Sequence, residues 1–287
     1  MKKFRFTLLF LFLSVLSSSL LAQNTIKIWK EIKQNRQQKR SELTVYIPEK
    51  EKNTGISIII CPGGSYRYLG MKKEGSEVAE YLQSRGIAAF VLHYRVGLQG
   101  NRHPVMIQDL QRSIQLVKEN CREYNIDPDK VGVMGFSAGG HLAGISGTYF
   151  DTNFMEPLGI IPKISFKPAF VAMIYPVISM SNEEITHKRS RRNLLGYRHR
   201  KKEMEDLMSL EKHVREDMPP VFLLQCKGDK TVDYRNSEYY DKALSEKNVK
   251  HQFLLLDENG HGFGIRANGK ATGWIDEFVE WVKSVIK

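Results

Sequence analysis

Short apolar runs alternate along this chain with longer segments of helical period. LTVYI (43–47), ISIIIC (56–61), IAAFVLHY (87–94), KVGVMGF (130–136), AFVAMIYPV (169–177), PVFLLQC (220–226) and HQFLLL (251–256) have the length and composition of strands. Residues 73–85, 104–121, 138–147, 234–246 and 272–286 predict helices between them. The alternation predicts an α/β architecture, a mostly parallel central sheet with helices on both faces. The runs are nearly unbroken in Ile, Val, Phe and Leu, as strands covered on both sides require. Pro104 suits a first helical turn, where its missing N–H has no intrahelical partner to lose. Residues 178–215 break the pattern with short helical pieces and many charges, which predicts a small cap insertion over the C-terminal edge of the sheet.

Composition adds a single core. The chain is 41% hydrophobic and 26% charged, with no internal repeat or linker tract, so one domain over 23–287 is expected. Lys2, Lys3 and Arg5 precede an apolar run ending in Ala22, the pattern of a secretory signal peptide spanning 1–22. Cleavage after Ala22 makes the protein exported, to the periplasm or beyond, with no stable membrane insertion afterwards. No cysteine follows the run to carry a lipid. The formal charge of +11 falls to +8 once Lys2, Lys3 and Arg5 are removed. A basic surface concentrates anionic partners, acidic polysaccharide among them, without specifying one. The densest stretch, KRSRRNLLGYRHRKK (188–202), has no nucleic-acid-binding module around it, so it reads as a solvated surface. Cys61, Cys121 and Cys226 make an odd count with no zinc spacing, and Cys61 and Cys226 end apolar runs as small buried hydrophobes do.

The chemistry is concentrated in three places. GFSAGG (135–140) joins a predicted strand to a predicted helix and fits the G-x-S-x-G turn that projects a nucleophile, here Ser137, at a helix N-terminus. CPGGSY (61–66) follows another strand. Its Gly64 and Ser65 amides, with that of Ala138, are the candidate donors for an oxyanion, each such donor contributing roughly 3 to 4 kcal/mol. His261, in NGHGFG after the last apolar strand, has small neighbours and stands where a base for Ser137 is needed. His93, His141, His187, His199, His213 and His251 lie in strands, in the elbow helix or in the charged insertion, where structural or solvated roles are expected. Asp229 in KGDKTVDYRNS is the expected acid, with Asp233 as its rival and a helix N-cap as Asp233's alternative role. Asp109 and Arg112 read as an ion pair on a helix face. Dinucleotide, P-loop and His-Glu-x-x-His motifs are absent from the sequence, so no cofactor or catalytic metal is expected.

CPGGSY, KEGSEVAEYLQSRGIAAFVLHYR, DPDKVGVMGFSAGGHLAG, SRRNLLG, DKTV and NGHGFG occur in one order from about residue 56 to the C-terminus. In these segments the chain resembles bacterial carbohydrate esterases related to acetyl xylan esterases, a branch of the α/β-hydrolases. The resemblance implies the α/β-hydrolase fold and the removal of acetyl, or in some members feruloyl, groups from plant polysaccharide. It maps nucleophile, acid and base onto Ser137, Asp229 and His261, and the oxyanion loop onto Gly63 to Tyr66. This chain has Ser65 where the family usually has a third glycine and Asp233 where it often has proline. If the loop needs positive φ at Ser65, the serine strains it. Tyr66, Arg67 and Tyr68, beside the loop, are candidates to stack on or hydrogen-bond a sugar. Besides an acetyl esterase acting on acylated oligo- or polysaccharide, a feruloyl esterase, a prolyl-oligopeptidase-like peptidase and a non-catalytic binding protein remain open. The oligomeric state does not follow from the sequence.

Overall fold

The computed structural model describes residues 24–30, 38–257, 260–267, 270–271 and 273–286; the expected signal peptide lies outside them. An eight-stranded sheet organises the chain. Its strands are β1 (Thr25–Lys27), β2 (Glu42–Tyr46), β3 (Ser57–Cys61), β4 (Ala88–His93), β5 (Val131–Phe136), β6 (Val171–Ile174), β7 (Val221–Cys226) and β8 (His251–Leu256), in the order β1-β2-β4-β3-β5-β6-β7-β8. β2 runs antiparallel to β1 and β4, and every pairing from β4 to β8 is parallel. β9 (Arg266–Ala267) and β10 (Lys270–Ala271) form a separate two-stranded ribbon.

The two-residue period of a strand divides the core into two layers. Ile59, Cys61, Val133 and Leu223 face α2 (Val105–Glu119), α4 (Ala138–Thr148) and α7 (Arg235–Glu246). Ile58, Ile60, Met134, Phe136 and Leu224 face α1 (Glu77–Ser84) and α8 (Trp274–Val285). β3, β5 and β7 are buried along their whole length, as their unbroken apolar runs predict. The expected helix from 73 begins instead as a π-turn over 72–76, continuous with α1.

The expected strand over 169–177 is only four residues long. Its pairing ends at Ile174, and Tyr175 has φ 38°, a conformation no extended strand continues. Asp109 and Arg112 also differ from expectation. Both are buried inside α2, and the Asp109 carboxylate takes the Arg95 guanidinium at 2.7 Å, Trp29 Nε1 at 2.7 Å and Ser41 Oγ at 3.1 Å. Arg112 Nε donates to the Ile28 carbonyl and its Nη1 to Gln115. These bonds pin the N-terminal β1 segment to α2. They lie in the interior, so the surface-pair reading is corrected.

Between β6 and β7 the chain forms α5 (Lys188–Leu195) and α6 (Lys202–Leu207), joined by a 3-10 turn. This is the expected insertion. Arg191 anchors it from within, buried and bonded to the Met180 carbonyl and to Glu183 and Glu205.

Candidate active site

Ser137 stands where β5 turns into α4, with φ 54° and ψ −117°, a backbone shape costly for any side chain. Its surroundings hold it there: its amide donates to the Ile174 carbonyl at 2.9 Å and its carbonyl accepts from Val177 and His141. The flanking glycines are sterically required. A Cβ on Gly135 would lie 2.0 Å from the Gly139 carbonyl oxygen, and one on Gly139 would lie 2.1 Å from that of Cys61.

The sequence-predicted trio meets at this turn. His261 Nε2 is 2.8 Å from Ser137 Oγ, and its Nδ1 is 2.7 Å from Asp229 Oδ2. With Nδ1–H donating to the carboxylate, Nε2 is left to accept from the serine hydroxyl. The Asp229 side chain is fully buried, which would be costly for a carboxylate without donors. It has four: His261, Gln225 Nε2, and the Thr231 and Val232 amides at 2.8 and 3.0 Å. Asp233 takes no part. Its carboxylate accepts the Arg235 amide and guanidinium just before α7, whose cap position is Tyr234, so Asp233 braces the turn into the helix without being its N-cap.

The loop after β3 turns through Gly64 (φ 135°), Ser65 (φ 56°) and Tyr66 (φ 57°), so the positive φ anticipated at Ser65 is present on a non-glycine residue. Among the described residues, no hydrogen-bond acceptor is recorded for the amides of Gly64, Ser65 or Ala138, and Ala138 opens α4. Gly64 and Ser65 line the same cleft as Ser137. The Gly63 amide is already bound to Glu74 Oε2 at 2.9 Å. Asn193 of the insertion donates to the Ser65 carbonyl at 2.9 Å, so α5 holds the loop from above.

Tyr66 is not a sugar-stacking residue. The left-handed backbone turns its ring into the core, where it is fully buried, edge-on to Tyr94, with its hydroxyl 2.8 Å from His141 Nδ1. Tyr68 is exposed and lines the cleft; Arg67 lines an adjoining one. His141 holds Tyr66 and the Met208 carbonyl, and burial pushes its pKa down to about 4.

The cleft is about 550 Å³. Two residues of its lining come from the insertion, His187 and Arg189, which places the insertion at the rim as expected. His187 was assigned there only a solvated or structural role; its Nδ1 does meet Ser190 Oγ at 2.8 Å, and burial lowers its pKa. Glu74 escaped sequence reasoning altogether. It lies beneath the loop, its Oε1 accepting from the Tyr175 hydroxyl at 2.8 Å, and that hydroxyl accepts from the Gly264 amide at 3.1 Å. The Tyr175 ring packs 4.8 Å from His261. Burial raises the Glu74 pKa against the opposing pull of these donors.

A mostly parallel sheet with a Ser–His–Asp chain at its C-terminal edge defines an α/β-hydrolase. The BD-FAE family profile matches residues 43–244, and the chain belongs to that family of α/β-hydrolase carbohydrate esterases. It is 32% identical over 76% of its length to endo-1,4-beta-xylanase B of Butyrivibrio fibrisolvens, and 29% identical over 86% to the acetylxylan esterase of Xylanibacter ruminicola. The chain spans 34% and 48% of those two relatives. The solved acetyl ester-xyloside bifunctional hydrolase of Caldicellulosiruptor lactoaceticus superposes with a TM-score of 0.81 at 32% identity, covering 93% of this chain and 98% of that one.

Proposed function

We propose that this protein is a serine esterase that removes acyl groups, acetyl in the first instance, from plant cell-wall polysaccharide or xylo-oligosaccharides. The observation that carries the reading is the unbroken chain Asp229–His261–Ser137, with bonds of 2.7 and 2.8 Å, opening on a cleft. In the first step His261 Nε2 takes the Ser137 proton as Oγ attacks the ester carbonyl, and Asp229 stabilises the imidazolium. The amides of Gly64, Ser65 and Ala138 receive the oxyanion. The alcohol leaves with the proton from His261, and water, activated by the same imidazole, attacks the acyl-enzyme.

The acetyl and xylan assignments draw support from the relatives, an acetylxylan esterase and an acetyl ester-xyloside hydrolase among them. Release of acetate from acetylated xylan is the test, run beside Ser137→Ala and a feruloylated substrate. Wild-type release that drops about 10⁴-fold or more in the variant supports the reading. Turnover of an aryl acetate but neither polysaccharide ester would leave the triad chemistry and remove the substrate assignment. Feruloyl release in preference to acetate would assign the feruloyl chemistry instead.

Export is part of the same proposal, since polysaccharide lies outside the cytoplasm. Amino-terminal sequencing of the mature protein should begin at Gln23, and recovery of Met1 would remove the signal-peptide assignment.

A further inference from the structure

The cleft at Ser137 adjoins a second one, of about 390 Å³, lined by Arg67, Lys188, Arg189, Arg192 and Asn193. Arg189 lines both, so the two meet at the rim formed by α5 and the loop after β3. Their charge is one-sided. Among the described residues, Glu74 is the sole carboxylate on either lining, and it is occupied by Gly63 and Tyr175. Lys188 is held weakly by Glu183 at 3.8 Å. Arg67, Arg189 and Arg192 are exposed and have no ion-pair partner among the described residues. Lys72 and Lys73 add positive charge to the lining of the Ser137 cleft.

Arg189 and Arg192 differ from the third arginine of their helix. Arg191, one residue from Arg192, is buried, bonded to the Met180 carbonyl and paired with Glu183 and Glu205, so α5 uses it for structure. Its neighbours are left facing the cleft. A guanidinium presents a planar fork that binds a carboxylate through two parallel N–H donors, and three such groups around one concavity favour a fixed anion over a neutral hydroxyl.

We propose that this shelf is a subsite for the carboxylate of a uronic-acid unit borne on the acylated polysaccharide, seated while a neighbouring acyl group is presented to Ser137. The assignment rests on the esterase reading above and narrows its substrate to an acidic polysaccharide. Recognition comes from the sugar acid and chemistry from the ester, so the two are separable by experiment.

The full chain is assayed on acetylated xylo-oligosaccharides carrying a uronic-acid branch and on the same material with the carboxyl reduced to an alcohol. We expect kcat/KM to favour the acid form by about tenfold at low salt, the sum of several exposed charge pairs. The preference should shrink as NaCl rises to about 0.5 M, because screening weakens exposed pairs. Arg189→Gln combined with Arg192→Gln should bring the two substrates level by lowering turnover of the acid form. Equal turnover of both forms by the wild type would overturn the subsite and leave the esterase reading standing. So would a double variant that loses activity equally on both, since the arginines would then be structural. Turnover of an aryl acetate with neither oligosaccharide would overturn the polysaccharide reading and the subsite with it.

Discussion

The Glu74 carboxylate accepts the Gly63 amide at 2.9 Å directly below the nucleophile turn, so close that a Cβ on Gly63 would lie 2.8 Å from Glu74 Oε2 and 2.9 Å from Ser137 Cβ. Its other oxygen takes the Tyr175 hydroxyl, which in turn takes the Gly264 amide three residues past His261. One side chain thus ties the ends of β3 and β6 to the loop carrying the base.

Removing that tie should cost catalysis. Glu74→Ala is expected to lower kcat on an aryl acetate by about 100-fold, the scale of an ångström of misplacement at a reacting centre. Glu74→Gln keeps the shape and an acceptor for Gly63 and should lose less. Its stability carries the sharper test. Burial raises the folded-state pKa above the ordinary 4.5, so the unfolded chain loses its proton first as pH climbs. Folding stability is therefore full below pH 4.5 and falls as pH rises through the raised value. A glutamine escapes that loss, and the Tm of Glu74→Gln relative to wild type should be higher at pH 8 than at pH 4. The opposite trend would contradict the burial argument.

Asp229 and Asp233 separate cleanly by substitution. Asp229→Asn replaces the anionic acceptor that fixes the Nδ1–H tautomer of His261 with an amide that can donate to Nδ1, and kcat should fall about 10⁴-fold. Asp233→Asn loosens an exposed pair with Arg235 and one amide contact, at about 1 kcal/mol or less of stability. Steady-state kinetics on both variants decides the assignment. A large loss for Asp233→Asn with Asp229→Asn active would reverse it.

Much of this was legible in the sequence because it depends on neighbours along the chain. The order of strands, the burial of β3, β5 and β7 on both faces and the G-x-S-x-G turn are local, and β8 falls on the expected 251–256, although β6 is shorter than its apolar run. The triad was readable from chain order and the ends of strands. Glu74, Tyr175 and Asn193 were not, since each acts on residues far away in sequence: Tyr175 meets Glu74 across 101 positions and Asn193 meets Ser65 across 128. Tyr66 was misplaced for a different reason. Its side-chain direction depends on a left-handed backbone that residue type does not reveal, and positive φ at Ser65 and Tyr66 points the ring inward.

Ser65 is the position where stability remains to be gained. A left-handed serine costs about 1 kcal/mol or more that a glycine there does not. Asn193 fixes the Ser65 carbonyl and so holds the residue in this shape. Ser65→Gly should therefore raise the free energy of unfolding by up to about 1 kcal/mol, read from the urea midpoint at constant slope. A lower midpoint would show that the hydroxyl repays the strain.

Acid should destabilise the protein through two histidines remote from the base. His141 and His103 are both buried, and burial pushes each pKa down to about 4, helped at His103 by the nearby positive charge of Arg198. The unfolded chain binds their protons near 6.5, so stability is present above that value and is lost as pH falls from 6.5 towards 4. The loss is on the order of 3 kcal/mol for each. Carboxylates also titrate at the lower end of that range, which makes a variant necessary. His103 has no ring-nitrogen hydrogen bond among the described residues and packs edge-on to Phe154, whereas His141 holds Tyr66 and Met208. His103→Leu is therefore the substitution the core should tolerate. Urea unfolding at pH 7, 5.5 and 4 should show the variant losing about 3 kcal/mol less than wild type across the range. An unchanged pH slope would mean that His103 is protonated in the folded protein, against its burial.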